Sequence, residues 1–96
     1  MIADNTVFKF GKNILKRFEA NYDNGTYYLY NVVDDVLWAG NYSCKILLDL
    51  IDGIKNTKQI KKEFQNILQI DDINAVNNSV DVVLQELIQK RMILEV

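Results

Sequence analysis

The stretch that most constrains the fold runs from Asn41 to Gly53, because it has the pattern of a short helix that is apolar on nearly all sides. Asn41 can accept a hydrogen bond from the free amides of a first helical turn, and Gly53 can take the left-handed conformation that follows a last turn. Between them, the apolar residues recur at helical spacing and widen one face. These residues are Cys44, Ile46, Leu47, Leu48, Leu50 and Ile51. Such a helix must be enclosed by other elements.

The composition indicates one small globular domain and excludes several classes of function. The 96 residues are 49% hydrophobic and 25% charged, which is typical of a globular protein. The chain has no His and one Cys, which argues against hydrolase triads, zinc sites and internal disulfides. A net charge of −2 gives no positive field for a phosphate backbone, and no apolar run approaches a membrane span. We therefore predict a cytoplasmic protein without a zinc site, a hydrolase triad, or a nucleic-acid or membrane partner.

The first half of the chain predicts a three-stranded antiparallel meander. Runs that favour β-structure occur at 14–18, 27–30 and 36–39. Asn24-Gly25 is a strong hairpin signal, because both residue types tolerate the positive φ angles of a tight turn. Asp34-Asp35 marks the second reversal. The chain before the meander, residues 1–12, is interpreted as a tail or a short edge strand, and residues 13–96 as the domain.

The second half predicts two further helices and a short final strand. A second helix begins at Asn56, whose side chain and that of Gln59 have the spacing of a capping box. Its predicted inner side is Ile60, Phe64, Ile67 and Leu68, and its solvent side is Lys58, Lys61, Lys62 and Glu63. A third helix is predicted from about Ile73 to Lys90, with Asp71 and Asp72 at its N-terminus. Ile93-Leu94 then resumes extended structure and is expected to pair back onto the sheet.

This order of elements predicts an α+β domain. A three-stranded antiparallel sheet followed by three helices places the helices on one side of a small sheet, which is a winged helix-turn-helix-like arrangement. The order alone leaves the function open, because folds of this class serve many functions.

Three groups of residues follow the spacing of a known family. The first helix is matched by Asn41, Ser43, Cys44, Leu47, Leu50, Ile51, Asp52 and Gly53, and the start of the second by Asn56 and Ile60. The end of the third helix is matched by Ser79, Val80, Val83, Leu84, Leu87, Lys90, Met92 and Ile93. In this joint spacing, from Ile14 to Leu94, the chain resembles the PqqD-like proteins, the recognition elements for ribosomally made and modified peptides. It departs from the family pattern at Gly40 (usually Leu), Ser79 (Asp) and Arg91 (Gly).

The resemblance implies a peptide-binding module. The PqqD-like proteins hold the leader segment of a precursor peptide as an added strand, beside the third strand of the sheet and the third helix. They present the bound peptide to a modifying enzyme, often a radical-SAM enzyme. We accordingly expect a docking edge at Val36, Leu37, Trp38 and Ala39 and an apolar wall of Val80, Val83, Leu84 and Leu87. Lys90 and Arg91 are expected to pair with acidic leader residues, and no catalytic or metal-binding residue is implied.

Each of these residues also has a purely structural interpretation. The four apolar residues of the third helix have the spacing of core positions. Trp38 is either a binding anchor or a half-buried core aromatic, and Lys90 and Arg91 suit the negative end of a helix. Cys44 is interpreted as a small buried hydrophobe, because no basic neighbour is placed to lower its pKa.

Two other functions compete with peptide binding. A winged-helix DNA-binding regulator would suit the order of elements, but residues 73–89 contain no Lys or Arg with which a recognition helix would contact phosphates. A structural subunit, or a domain of a larger peptide-modifying enzyme, also remains open. The exposed sheet edge is compatible with a homodimer formed by strand or wing exchange.

Overall fold

The chain folds as a three-stranded sheet with helices on one face, together with a separate two-stranded ribbon. The computed structural model describes residues 2–21 and 25–96. The strands are β1 (Phe8–Phe10), β2 (Ile14–Glu19), β3 (Thr26–Asn31), β4 (Val36–Gly40) and β5 (Ile93–Glu95), and the helices are α1 (Tyr42–Asp49), α2 (Thr57–Leu68) and α3 (Ile73–Gln89). The main sheet is antiparallel in the order β2-β3-β4. The prediction of an α+β chain with this sheet followed by three helices is confirmed.

The core lies between the inner face of the main sheet and the three helices. On β3, Tyr27 and Leu29 point inward and are buried, while Tyr28 and Tyr30 point outward and are partly exposed. This alternation follows from the two-residue period of a strand. The helices contribute most of the remaining buried side chains, among them Leu47, Leu48, Ile60, Phe64, Val76, Val80, Leu84 and Leu87. Among residues 2–21 and 25–96, the sheet is therefore covered on one face only.

The predicted hairpin between β2 and β3 is confirmed by their pairing, which runs from Ile14 opposite Asn31 to Glu19 opposite Thr26. Asn24, the first residue of the predicted turn, lies outside the described residues. Gly25 has a φ of +110°, and a Cβ atom there would lie 2.9 Å from Cζ of Phe18. Both the backbone conformation and the space therefore favour glycine at this position.

The N-termini of the three helices are capped by the residues that the sequence predicts. The Asn41 side chain accepts a hydrogen bond from the Cys44 amide at 3.1 Å. Asn56 and Gln59 form the full capping box, with reciprocal side-chain bonds to each other's amides. Asp72 accepts from the amides of Asn74 and Ala75. These helix starts are set by interactions within four residues of chain.

The end of α1 was predicted wrongly, because the helix stops at Asp49 and does not continue to Gly53. The Asp52 carboxylate accepts the amides of Ile54 and Lys55 and so forms a turn of its own. Gly53 has a positive φ of 78°, but its amide donates to the Phe8 carbonyl oxygen at 3.0 Å. The glycine thus belongs to a bend that holds the N-terminal strand.

The two ends of the chain form the ribbon of β1 and β5. Phe8 lies opposite Glu95 and Phe10 opposite Ile93 in antiparallel register, and Phe8 is buried in the core. Residues 1–12 were interpreted as a tail or a short edge strand, and the structure has a short strand, β1, within them. The last strand pairs with β1 in place of its predicted return to the main sheet.

The solvent face of α2 differs from its predicted composition at two positions. Ile67 was placed on the inner side but is 53% exposed. Lys61 was placed in solvent, but its Nζ lies 2.9 Å from Oδ1 of Asp81 on α3, and both side chains are largely buried. The reason is that α3 packs against the side of α2 that carries Lys61.

Candidate peptide-binding site

Strand β4 is an outer strand of the main sheet, and β3 alone pairs with it among the described residues. Within residues 2–21 and 25–96, no loop or helix makes a backbone hydrogen bond to β4. An outer strand presents alternate N–H and C=O groups to its open side. None of its five residues, from Val36 to Gly40, carries a charge. The docking edge predicted from Val36, Leu37, Trp38 and Ala39 is therefore an open, uncharged strand edge.

The residue that turns the chain into β4 is Asn31, which sequence reasoning did not single out. Its side-chain oxygen accepts the amides of Val33 and Asp34, and its Nδ2 donates to the carbonyl oxygens of Lys90 and Arg91 at 3.2 and 3.3 Å. Asn31 is buried and joins the β3–β4 turn to the end of α3. The two bonds from Val33 and Asp34 could have been expected from the sequence, since Asn commonly accepts hydrogen bonds from the amides of a following turn.

Trp38 is a core residue of β4 and is only 5% exposed. Its indole Nε1 donates to Oε1 of Glu86 on α3 at 3.1 Å. The ring also explains the unusual Gly40, because a Cβ atom at that position would lie 2.5 Å from Cη2 of Trp38 and 2.8 Å from Cβ of Cys44. The structural interpretation of Trp38 therefore applies, and the tryptophan has little surface with which to anchor a peptide.

Of the four residues of the predicted apolar wall, one reaches the surface. Val80, Leu84 and Leu87 are completely buried, which favours their alternative interpretation as core residues over that of a peptide-binding wall. Their spacing places them on the side of α3 that packs against the sheet and the other helices. Val83 is half-buried and lies at the rim of a cavity.

The cavity beside the Gly40 end of β4 has a volume of about 280 Å³. It lies between the start of α1, the end of α2 and the first half of α3, and its lining includes Asn41, Cys44, Phe64, Leu68, Ser79 and Val83. The lining is mostly apolar. Small-molecule pockets commonly have volumes of about 300–1,000 Å³, so this one suits a single large side chain.

Cys44 lines the cavity with a half-buried thiol. Burial raises the pKa of this thiol, and the carboxylate of Glu86 acts in the same direction, against the opposing effect of a hydrogen bond from the Asn41 backbone. Since the thiolate is the reactive form, the raised pKa keeps Cys44 protonated and unreactive at neutral pH. The residue therefore contributes apolar surface to the cavity, as its sequence context predicts.

Lys90 and Arg91 lie at the C-terminus of α3, near the start of β4. The Met92 amide donates to the Leu87 carbonyl oxygen, and the Arg91 amide to that of Ile88, which together form a Schellman motif. Arg91 has a φ of +57°, the conformation usually taken by the glycine that the family pattern has there. The Arg91 side chain is exposed, with Nε 3.8 Å from Oδ2 of Asp34. The Arg91 guanidinium thus remains accessible near the start of β4.

The described residues contain no group of three or more His, Cys, Asp or Glu side chains placed to hold a metal ion. In the same parts of the chain, no helix has both the length and the apolar character needed to cross a membrane. Comparison of the chain with protein-family models, with curated proteins and with solved structures finds no match to any of the three.

Proposed function

We propose that this protein binds the leader segment of a ribosomally made precursor peptide by adding it as a strand beside β4. The observation that carries the proposal is the open edge of β4, which has no charged residue and no second partner among the described residues. An extended peptide satisfies the free backbone groups of such an edge, and its side chains enter neighbouring pockets. This is the mode of binding of the PqqD-like proteins, which the chain resembles in sequence.

The cavity at the Gly40 end of β4 supports this proposal. A peptide that continues along β4 past Gly40 reaches the cavity rim, where Val83 and Cys44 offer apolar surface. A large apolar side chain of the peptide fits this volume and fixes the register of the added strand. Lys90 and Arg91 lie at the opposite end of β4, where they suit acidic leader residues.

Recognition of this kind requires no catalytic group. The protein acts as a peptide chaperone that presents the bound precursor to a separate peptide-modifying enzyme, with a radical-SAM enzyme as the first candidate. A winged-helix relationship is part of the same proposal, with the main sheet as the wing and α2 and α3 as the paired helices. The same proposal places the protein in the cytoplasm, where precursor peptides are made.

DNA binding by α3 is less well supported. The helix carries no Lys or Arg from Ile73 to Gln89, whereas recognition helices use such residues to contact phosphates and base edges. The lysines of α2 do not replace them, because Lys61 is held by Asp81 and the net charge of the chain is negative.

The proposal is tested by NMR titration with a synthetic leader peptide from a precursor encoded next to the gene of this protein. We expect the amide signals of β4 and of Val83 to shift and the β4 amides to gain protection from hydrogen exchange. Val83→Asp should lower the affinity about tenfold or more, because it places a charge at the cavity rim. Val82→Asp is the matched control, since Val82 is exposed on the same helix and does not line the cavity.

Two results would contradict the proposal. One is a titration in which the leader peptide leaves the β4 signals unchanged. The other is an equal loss of affinity in the Val83→Asp and Val82→Asp variants while both remain folded, which would remove the cavity from the binding site.

A further inference from the structure

The outer face of the main sheet, which points away from the helices, carries exposed apolar side chains. Its central part consists of Leu15, Arg17, Tyr28, Tyr30, Leu37 and Ala39, and Glu19 and Thr26 lie at one end of the same face. Leu15 is 60% and Leu37 59% exposed, and the two tyrosines between them are partly exposed. An antiparallel sheet with one solvated face usually presents polar residues there. These side chains leave apolar surface that is available for contact with another chain.

Two cross-strand rows form the central part of the outer face. In the first row, Leu15 pairs with Tyr30, which in turn pairs with Leu37. The row therefore has the same order of residue types from either edge of the sheet. The Tyr30 hydroxyl donates a hydrogen bond to Oδ1 of Asp35, which holds the central ring in place. A second copy of the chain can face this one across a two-fold axis that runs parallel to β3, between the two outer faces. This rotation would place Leu15 against Leu37 and Tyr30 against Tyr30.

The second row fits the same rotation. Arg17 pairs with Tyr28, which pairs with Ala39, so the rotation places the long Arg17 side chain opposite the small Ala39. Arg17 already forms an ion pair with Glu19 on its own strand. No like charges of these two rows face each other in this arrangement, and two sheets in face-to-face contact with aligned strands form a common type of packing.

We propose that two copies of this chain associate through the outer face of the sheet, with the two-fold axis along β3. The strand spacing and rise give a contact of about 14 by 17 Å, well below the roughly 800 Å² per partner of a standard interface. The dimer is therefore weak and depends on concentration. It leaves the open edge of β4 and the cavity free, so it does not depend on the proposed peptide binding and differs from an exchange of edge strands.

The experiment is sedimentation velocity of the full chain from about 10 µM to about 1 mM, a range that spans the dissociation constants of weak complexes. We expect the weight-average sedimentation coefficient to rise from that of one chain towards that of two associated chains. Leu15→Glu should abolish the rise, because the new carboxylate would be buried against Leu37 of the second copy. The matched control is Ile54→Glu, which makes the same change at a side chain that is 81% exposed on another surface. This control should associate as the unmodified chain does.

A double variant tests the direction of the axis. Leu15→Glu combined with Leu37→Lys should restore association, since each new carboxylate would meet an ammonium of the second copy. If the double variant stays monomeric while Ile54→Glu dimerises, the axis along β3 is wrong. A chain that is monomeric at every concentration, or a dimer that persists in Leu15→Glu, overturns the proposal. Either result would mean that the outer face is not an interface between two copies of the chain.

Discussion

The two outer strands of the main sheet, β2 and β4, share β3 as a neighbour but differ in their protection against further pairing. Strand β2 carries Lys16, Arg17 and Glu19, whereas β4 carries no charged residue. Charged side chains on an outer strand, lysine above all, are a common means of preventing contact with another strand. The comparison therefore separates a protected edge from an edge that is open to a peptide.

A single cross-strand row shows how this difference is built. Lys16, Leu29 and Trp38 lie side by side across the three strands. At the β2 end, the Lys16 ammonium lies 3.6 Å from the centre of the Phe10 ring and its side chain is exposed. At the β4 end, Trp38 is buried and bonded to Glu86. The open edge is thus the one that is fixed to the core and to α3, which would hold it in place for the proposed peptide strand.

The largest expected effect is the loss of stability on truncating the β4 end of this row. Trp38→Ala should lower the free energy of unfolding by about 3–5 kcal/mol, because it removes a large buried ring and leaves a cavity. Lys16→Ala, at the other end of the row, should change it by no more than about 1 kcal/mol. Urea unfolding followed by circular dichroism measures both. Similar losses in the two variants would mean that the edges are equally tied to the core.

Next in size is the effect of a methyl group at the glycine that ends β4. Gly40→Ala should destabilise the fold by about 1–3 kcal/mol, since the added carbon overlaps with Trp38 and Cys44. Gly11→Ala, just before β2, is the control, because its nearest contact would be an ordinary 3.4 Å from Cγ1 of Ile14. Its stability should stay within about 1 kcal/mol of the unmodified chain. Thermal unfolding distinguishes the two, and a harmless Gly40→Ala would show that Trp38 has room to move.

Placing a charge on β4 should remove the difference between the two edges. The double variant Arg17→Ala, Ala39→Arg exchanges the two ends of one cross-strand row and leaves the composition unchanged. We expect its affinity for the leader peptide to fall about tenfold, because β4 would then carry the guanidinium. Arg17→Ala alone should bind as before. Calorimetry measures both affinities, and full binding by the exchanged variant would mean that edge charge does not select the docking strand.

The smallest expected effect concerns the C-terminus of α3, next to the start of β4. Arg91→Gly should raise the free energy of unfolding by up to about 1 kcal/mol, since glycine takes the left-handed conformation without strain. Gln69→Gly, at the left-handed end of α2, should give a similar gain. If Arg91 also binds acidic leader residues, Arg91→Gly alone will weaken peptide binding. Chemical unfolding and calorimetry together separate the backbone effect from the binding effect.

The elements of the fold were largely predictable from the sequence, because their signals are local. The caps at Asn41, Asn56 and Asp72 act on amides two or three residues away, and the helical spacing of α3 reflects one buried face. The meander follows from three β-favouring runs with short reversals. An uncharged β4 was also visible in the sequence, since charge is a property of the residues themselves.

The candidate site was only partly predictable. The sequence places Trp38 on β4, but its burial and its bond to Glu86 depend on α3, 48 residues further along the chain. The same holds for Lys61, whose partner Asp81 lies on another helix, and for Val83, which alone among the four wall residues remains at the surface. Helical spacing identifies a face but does not say which of its residues the neighbouring elements cover.

By itself, the sequence determined the type and order of the elements of this protein and the difference in charge between its two sheet edges, because propensity, capping and charge act over a few residues. The tertiary structure decided that β1 pairs with β5, that the Gly53 amide bonds to Phe8 and that a cavity opens beside Gly40. Each of these depends on contacts between distant segments, whose geometry is fixed only when the whole core packs.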